Sequence, residues 1–352
     1  MDTERYDAAG LTTFACNLLV AAGMTQVRAD VVARILVEGD LLGHTTHGLQ
    51  LMGPYLKSVA KNEMLLDGEP EIISSRPVTE LWDGKNLAGP WLVEKAFARA
   101  VTMAHEFGTG TIVIRRCHHI GCLAAYMRPI AEQNLVGLLV SSDPANNTVS
   151  PYGGITPVYS PNPVAACFPT AGDPVILDIS MSTTTNGLCM RTMKGENKLP
   201  YNWVKDSEGR VSDDPATVFS DPPGSILPLG GIDSGHKGFA LGLLVEALTS
   251  GLAGYGRADG TKDWGATVFV QVQDIGSFSG ADGFKRESSW LANACRNSKT
   301  ASGDEPVRLP GEAGLARRRQ AMKDGVELFP GIKNMLEEWA DKLNVPYPSS
   351  LN

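Results

Sequence analysis

The chain has 352 residues, 43% hydrophobic and 20% charged, with a net charge of −8. That balance buries a core but offers no concentrated Lys/Arg surface for a phosphate backbone or an acidic membrane, so neither nucleic acid nor membrane is an expected partner. Met1-Asp2-Thr3-Glu4-Arg5 is not a basic stretch leading into an apolar run, and the most apolar long segment, 238–254, carries Glu246; neither a signal peptide nor a span is expected. Six cysteines (16, 117, 122, 167, 189, 295) lack framework spacing, which points to reduced thiols and a cytoplasmic protein.

In chain order, Val27, Val31, Ile35 and Leu36 recur at helical spacing, and Gly39 and Gly43 punctuate the end of that helix. Leu49, Met52, Leu56 and Val59 predict a second amphipathic helix, with Thr45 or Thr46 placed to cap it. From about residue 78 the texture changes. A helix over 93–107 leads into the β-branched run Thr111-Ile112-Val113-Ile114, and a helix over about 121–133 leads into a strand over 135–140. Strands are predicted over 164–168, 175–180 and 266–272, and a helix over 238–252. The stretches 191–229 and 274–307 are polar and read as turns and loop, and 311–343 reads as a charged helical tail. The expected class is α/β (α+β): a mixed sheet with helices at 76–307, and a helical domain formed by 1–75 together with 308–352.

Familiar signatures fail on context. Gly108-Thr109-Gly110 lacks a third glycine and precedes a strand, and Gly251 to Gly256 follows a helix, so no Rossmann fingerprint is present. There is no Walker lysine motif, G-x-S-x-G or C-x-x-C. His44 and His47 are three apart, but no third ligand stands in an H-E-x-x-H pattern, so no metal is expected. Of six histidines, four form two tight pairs at element junctions. His44-Thr45-Thr46-His47-Gly48 precedes a helix, and His118-His119-Ile120-Gly121 follows a strand. Imidazoles there can move a proton near neutral pH.

Asp40-Leu41-Leu42-Gly43-His44-Thr45-Thr46-His47-Gly48 resembles the D-x-R-G-x-x-S-H-G signature of the malate/L-lactate dehydrogenase family. Arg116 to Gly121 is similar to its N-S-x-H-x-G. Ser142-Asp143-Pro144, Pro151 to Gly154, Asn162-Pro163, Asp178 to Ser182, His236 to Phe239 and Leu309 to Glu312 follow in the family's order, so the resemblance covers nearly the whole chain. It implies a non-Rossmann NAD(P)-binding fold, a homodimer, NAD or NADP as cofactor, and a small 2-hydroxy or 2-keto acid as substrate. It implies His119 and His47 as catalytic acid/base residues. Ser142, Asp178, Ile179, Ser180, Met181, Ser182, His236, Lys237, Pro310, Gly311 and Glu312 are the implied cofactor contacts, and Thr46, His47, Arg116 and Asn162 the substrate contacts. Each has a plainer reading: Ser142 and Ser182 as turn residues, Lys237 as a solvated helix-start lysine, Glu312 as a helix N-terminal carboxylate.

The chain departs from the pattern at Leu42 and Leu51, where the signature has arginines, and at Thr46 and Pro161. A guanidinium is the natural bidentate partner of a carboxylate, so Arg115, Arg116 or Lys57 is expected to compensate, or the substrate to be more apolar than malate. The competing readings are a reductase of a cyclic imino acid (piperideine- or pyrroline-2-carboxylate), a histidine-dependent hydrolase or metal enzyme, and a binding protein that kept the fold.

Overall fold

The computed structural model describes residues 4–301 and 306–351. Strand β1 (Arg5–Tyr6) leads into α1 (Ala8–Ala21), α2 (Gln26–Leu42) and α3 (Met52–Ala60). The hairpin of β2 (Glu71–Arg76) and β3 (Thr79–Asp83) is followed by α4 (Gly89–Phe107), β4 (Thr109–Cys117), α5 (Met127–Glu132), β5 (Leu135–Ser142), β6 (Val164–Phe168), β7 (Val175–Ile179) and α6 (Asn186–Lys194). Two-residue strands β8 (Val204–Lys205), β9 (Val211–Ser212) and β10 (Ser225–Ile226) form a small sheet of their own. Then come α7 (Gly231–Glu246), β11 (Ala266–Asp274), α8 (Gly280–Arg296), α9 (Glu312–Asp324), β12 (Val326–Glu327) and α10 (Ile332–Leu343).

The large sheet has seven strands in the order β2-β3-β4-β11-β5-β6-β7. Only β3 and β4 run parallel, joined by the crossover helix α4, and every other neighbour pair is antiparallel. This is not the doubly wound parallel sheet of a Rossmann domain. Alternation along the strands builds two faces. Ile112, Val270 and Leu139 lie side by side in one core, under α4 and α2. Val113, Phe269 and Val140, one residue on, lie in a second core that includes Val245 of α7 and Met181.

The chain ends meet: β1 pairs with β12, and Leu11, Leu36, Met52 and Tyr55 share a core with Val326, Ile332 and Leu336. Helix α2 divides its apolar residues between two cores, Ile35 and Leu42 toward the sheet and Val32 and Leu36 toward the helices. The His44–His47 turn therefore emerges where the two cores adjoin. The large sheet already begins at Glu71, ahead of the boundary expected at residue 76.

Four local expectations are corrected. The stretch 274–307 contains the 17-residue helix α8. Only its Ala292 is buried, and Gly280, Gly283, Ser288 and Ser289 give the segment the composition of a loop. Helix α7 starts at Gly231, seven residues before the expected start, because its glycine-rich first turns carry no periodic pattern. Helix α6 lies partly in the stretch read as turns. Thr45 and Thr46 cap nothing: a 3₁₀ turn, Leu49–Leu51, precedes α3, and the amide of Leu49 is taken by Asp40 instead. None of the six cysteines is in a disulfide. Residues 302–305, part of the expected loop, and Met1–Thr3, where the absence of a leader was read, lie outside the described residues.

Candidate active site

The first wall of the site is the turn after α2. Gly43 ends the helix in the left-handed region at φ 87°. The carboxylate of Asp40, on the last helical turn, accepts from the Leu49 amide at 2.6 Å. A Cβ on Gly48 would sit 2.4 Å from that carboxylate, so the glycine following His47 is what lets the turn close over Asp40. Burial pushes the Asp40 carboxyl up to about 7, with the Leu49 amide and the Arg191 charge pulling the other way. Thr46 Oγ1 lies 2.9 Å from His47 Nδ1, and so orients the imidazole.

The second wall is the end of β4. The carbonyls of His118 and His119 pass so close to α4 that a Cβ on Gly89 would meet them at 2.3 and 2.4 Å. Tyr55 Oη donates to the His119 carbonyl at 2.9 Å and lies 3.0 Å from His119 Nδ1, and the Gly121 amide lies 3.2 Å from the same nitrogen. Trp264, just before β11, sets its ring 4.9 Å from that of His119 at 31°. His118 is buried against Tyr55 and Trp264, with neither ring nitrogen partnered, and burial lowers it to about 4. It is an aromatic filler, not a proton carrier.

The two walls face each other. The His47 and His119 rings stack with centroids 5.9 Å apart at 24°. Burial lowers both pKa values. For His47 the nearby Asp178 opposes the shift, while His44 and Arg191 add to it. For His119 the neighbouring His47 and His118 deepen it. Both imidazoles are therefore neutral at pH 7, the state in which one of them can accept a proton.

β7 and the turn after it form the third side. Asp178 Oδ2 accepts from the Ala124 amide at 2.8 Å and from the Cys122 thiol at 3.7 Å. His44, Cys122 and Asp178 offer ligand atoms within 4.8 Å of one another, a juxtaposition that the His44/His47 spacing does not reveal. Ile179 is exposed, Ser180 Oγ donates to the Ser182 carbonyl, and Met181 is buried, bridging the Pro161 carbonyl and the Leu229 amide. Gly187 on α6 would place a Cβ 3.4 Å from Thr46 and 3.9 Å from His47 Cε1.

The remaining expected residues lie apart from the imidazole pair. The Ser142 hydroxyl and the Asn162 amide both donate to Glu246, which also binds Arg257; the side chains of Ser142 and Asn162 are buried in this network. His236 packs edge-on against Tyr152, and Lys237 is exposed beside it on α7. Pro310 accepts from the Ile176 amide and seats its segment on β7, two residues before Asp178. Glu312 is held by the Leu309 amide and Arg296, which keep it below the ordinary carboxylate range. Arg115 and Arg116 both grip Asp83, so neither guanidinium is free to replace the missing arginines, and Lys57 is exposed. The sequence reading missed Tyr55, Trp264 and Arg191. Tyr55 lies within the stripe that predicts α3, and the other two arrive from distant segments.

A family model described as malate/L-lactate dehydrogenase matches residues 6–337. The chain is 32% identical over 243 residues to a (2R)-3-sulfolactate dehydrogenase (NADP(+)) of Chromohalobacter salexigens, covering 69% of this chain and 70% of that one. It is 28% identical to a Δ1-pyrroline-2-carboxylate reductase of Ancylobacter novellus, over 88% and 90% of the two chains. The fold is that of a malate dehydrogenase structure from Entamoeba histolytica, with a TM-score of 0.93 at 22% identity over 99% of this chain and 100% of that one.

Proposed function

The chain belongs to the malate/L-lactate dehydrogenase family and is an oxidoreductase acting on CH–OH groups; from that premise we propose that it interconverts a small 2-hydroxy acid and its 2-oxo acid, with His119 as the acid/base and NAD or NADP as the hydride partner. The observation that carries this reading is the stacked pair of neutral imidazoles, one of them fixed by Tyr55.

Oxidation breaks the C2–H bond with its electron pair and the O–H bond without it. When bound, the nicotinamide accepts the hydride. His119 Nε2 takes the hydroxyl proton as the C2–O bond becomes a carbonyl. Both neutral tautomers of His119 have a partner at Nδ1: the Gly121 amide donates to it at 3.2 Å in the Nε2–H form, which suits the reductive direction. In the form that acts as base, and in the imidazolium that follows, Nδ1–H is given to the Tyr55 oxygen, whose own proton goes to the His119 carbonyl, and Nε2 takes up the substrate proton. Trp264 supplies a flat apolar wall that excludes water, and Thr46 and His47 bound the opposite side. In the reductive direction Nε2–H returns the proton to the oxygen.

The chain fits a dinucleotide. A shallow, open depression lies beside Pro310 and Gly311 and is lined by the cations Arg308 and Arg317. Such a depression suits phosphates. It adjoins the segment seated on β7, and Arg317 also donates to the Leu42 carbonyl at 3.3 Å, beside the His44–His47 turn.

The test is nicotinamide absorbance with NADH and NADPH against a panel of 2-oxo acids and cyclic imines, on wild type, His119→Ala and His47→Ala. His119→Ala is expected to lose about 10²–10⁴-fold in turnover while its nicotinamide Kd holds. Unimpaired turnover in His119→Ala with loss in His47→Ala reassigns the acid/base role to His47. Cyclic imines turned over in preference to every 2-oxo acid replace the substrate class with the imino acids named for the pyrroline-2-carboxylate relative. With Leu42 and Leu51 in place of arginines, monocarboxylic substrates are expected to outpace malate, and the reverse order defeats that expectation.

A further inference from the structure

Resting on the substrate class just proposed, the geometry points to Arg191 of α6 as the residue that recognises the substrate carboxylate, supplied from a different element than the turn that lacks arginine. Arg191 crosses to that turn: it donates to Thr45 Oγ1 at 2.7 Å and to Gln50 Oε1, one residue before Leu51. A guanidinium has five N–H donors, and here two are taken, both by neutral oxygens. Nε is buried and unpartnered. No carboxylate of the described residues lies within ion-pair distance, although most other arginines of the described chain have one.

The acid that influences Arg191 is Asp40, which lies beyond ion-pair distance and gives its oxygen to the Leu49 amide, so the half-buried guanidinium has no direct counter-charge and an anion would repay the cost of burying it. The position is also the right one. Gly187, one helical turn earlier on α6, faces Thr46 and His47, so Arg191 shares the face that α6 turns toward the site. The guanidinium plane rests on Phe329 with its centre 3.7 Å from the ring centroid, which holds the fork without consuming a donor. Arg115 and Arg116, by contrast, are neutralised by Asp83.

The test compares wild type, Arg191→Gln and the double variant Arg191→Gln/Leu51→Arg. KM and kcat are measured for pyruvate and for pyruvamide, its neutral isostere. Binding of oxamate, an unreactive isostere of pyruvate, is measured separately by the rise in thermal midpoint with nicotinamide present. Arg191→Gln is expected to raise the pyruvate KM on the order of 10- to 100-fold, the loss of a charged hydrogen bond, with a much smaller change for pyruvamide and the nicotinamide KM held. Leu51→Arg is expected to restore much of the pyruvate KM. Equal oxamate response in wild type and Arg191→Gln overturns the assignment, and so does an equal loss for pyruvate and pyruvamide, which marks Arg191 as a strut between α6 and the turn. If wild type turns over no 2-oxo acid yet oxamate binding is lost in Arg191→Gln, the reaction proposed above fails and the anion site stands.

Discussion

Asp40 shows how one sealed carboxyl can set a pH dependence. Its pKa is raised to about 7 by burial, whereas the unfolded chain leaves it near 3.8. Between pH 4 and 7 the folded state thus holds a proton that the unfolded state has released, so this group's contribution falls as pH rises through that window and levels off above it. The span is on the order of 4 kcal/mol. Asp40→Asn keeps an oxygen for the Leu49 amide and carries no charge. Urea denaturation from pH 4 to 8 is expected to show the variant gaining on wild type as pH rises, and a constant difference across that range would refute the buried-acid account. Tyr55 acts through His119 and is a positioning residue. Tyr55→Phe removes the oxygen that accepts from Nδ1–H, so the imidazolium loses a stabilising contact. The expected result is an oxidative kcat about 10-fold lower and an acid limb of kcat/KM displaced to lower pH. A lowered kcat with the limb unmoved would indicate packing alone.

At the scale of elements, what holds the two imidazoles face to face is the close approach of one segment to another. Helix α4 carries glycine at its first position, 89, because the carbonyls of His118 and His119 occupy the place of a side chain there. Gly89→Ala forces backbone against backbone, with an expected cost of about 1–3 kcal/mol and a displaced His119. Turnover should drop at least about 10-fold with the nicotinamide Kd intact. Gly172→Ala, whose Cβ would come no nearer than 4.0 Å to Thr170 Oγ1, is the matched control. Wild-type kinetics in Gly89→Ala would show that α4 does not position the pair. These contacts also explain what could be read in advance. The helix over 93–107 announces itself because it is long and unbroken by Gly or Pro, the run Thr111 to Ile114 because it is wholly β-branched, and the doubled histidines stand out beside glycines. Trp264 and Arg191 do not, because their roles arise from the crossing of segments more than a hundred residues from His119 or His47 in sequence. Helix α8 was hidden for a local reason: Gly280, Gly283, Ser288 and Ser289 give the segment the composition of a loop, although its apolar residues share one side.

The whole molecule closes by joining its ends, with β1 on β12 and the C-terminal helices against α1 to α3, yet it leaves an apolar surface open along α7. Along α7 and the π-helical turn after it, Leu241, Leu243, Leu244 and Leu252 are 44–55% exposed, while Gly235, Gly238 and Gly242 press the opposite side of the helix onto Tyr152, Leu229 and Tyr159. A contiguous leucine surface of this kind on a chain of net charge −8 is costly in water, and self-association through a two-fold axis covers it without any partner of different sequence. The homodimer that the family resemblance implies is expected to use this face. Helix α7 also carries Glu246, which holds Ser142 and Asn162, so the dimer surface and that buried network share one rigid element. Sedimentation velocity is expected to give a dimer for wild type and a monomer for Leu244→Asp, with the far-ultraviolet circular dichroism unchanged. Wild type sedimenting as a monomer at tens of micromolar would remove the face from consideration. A Leu244→Asp protein that stays dimeric would place the interface elsewhere on the chain.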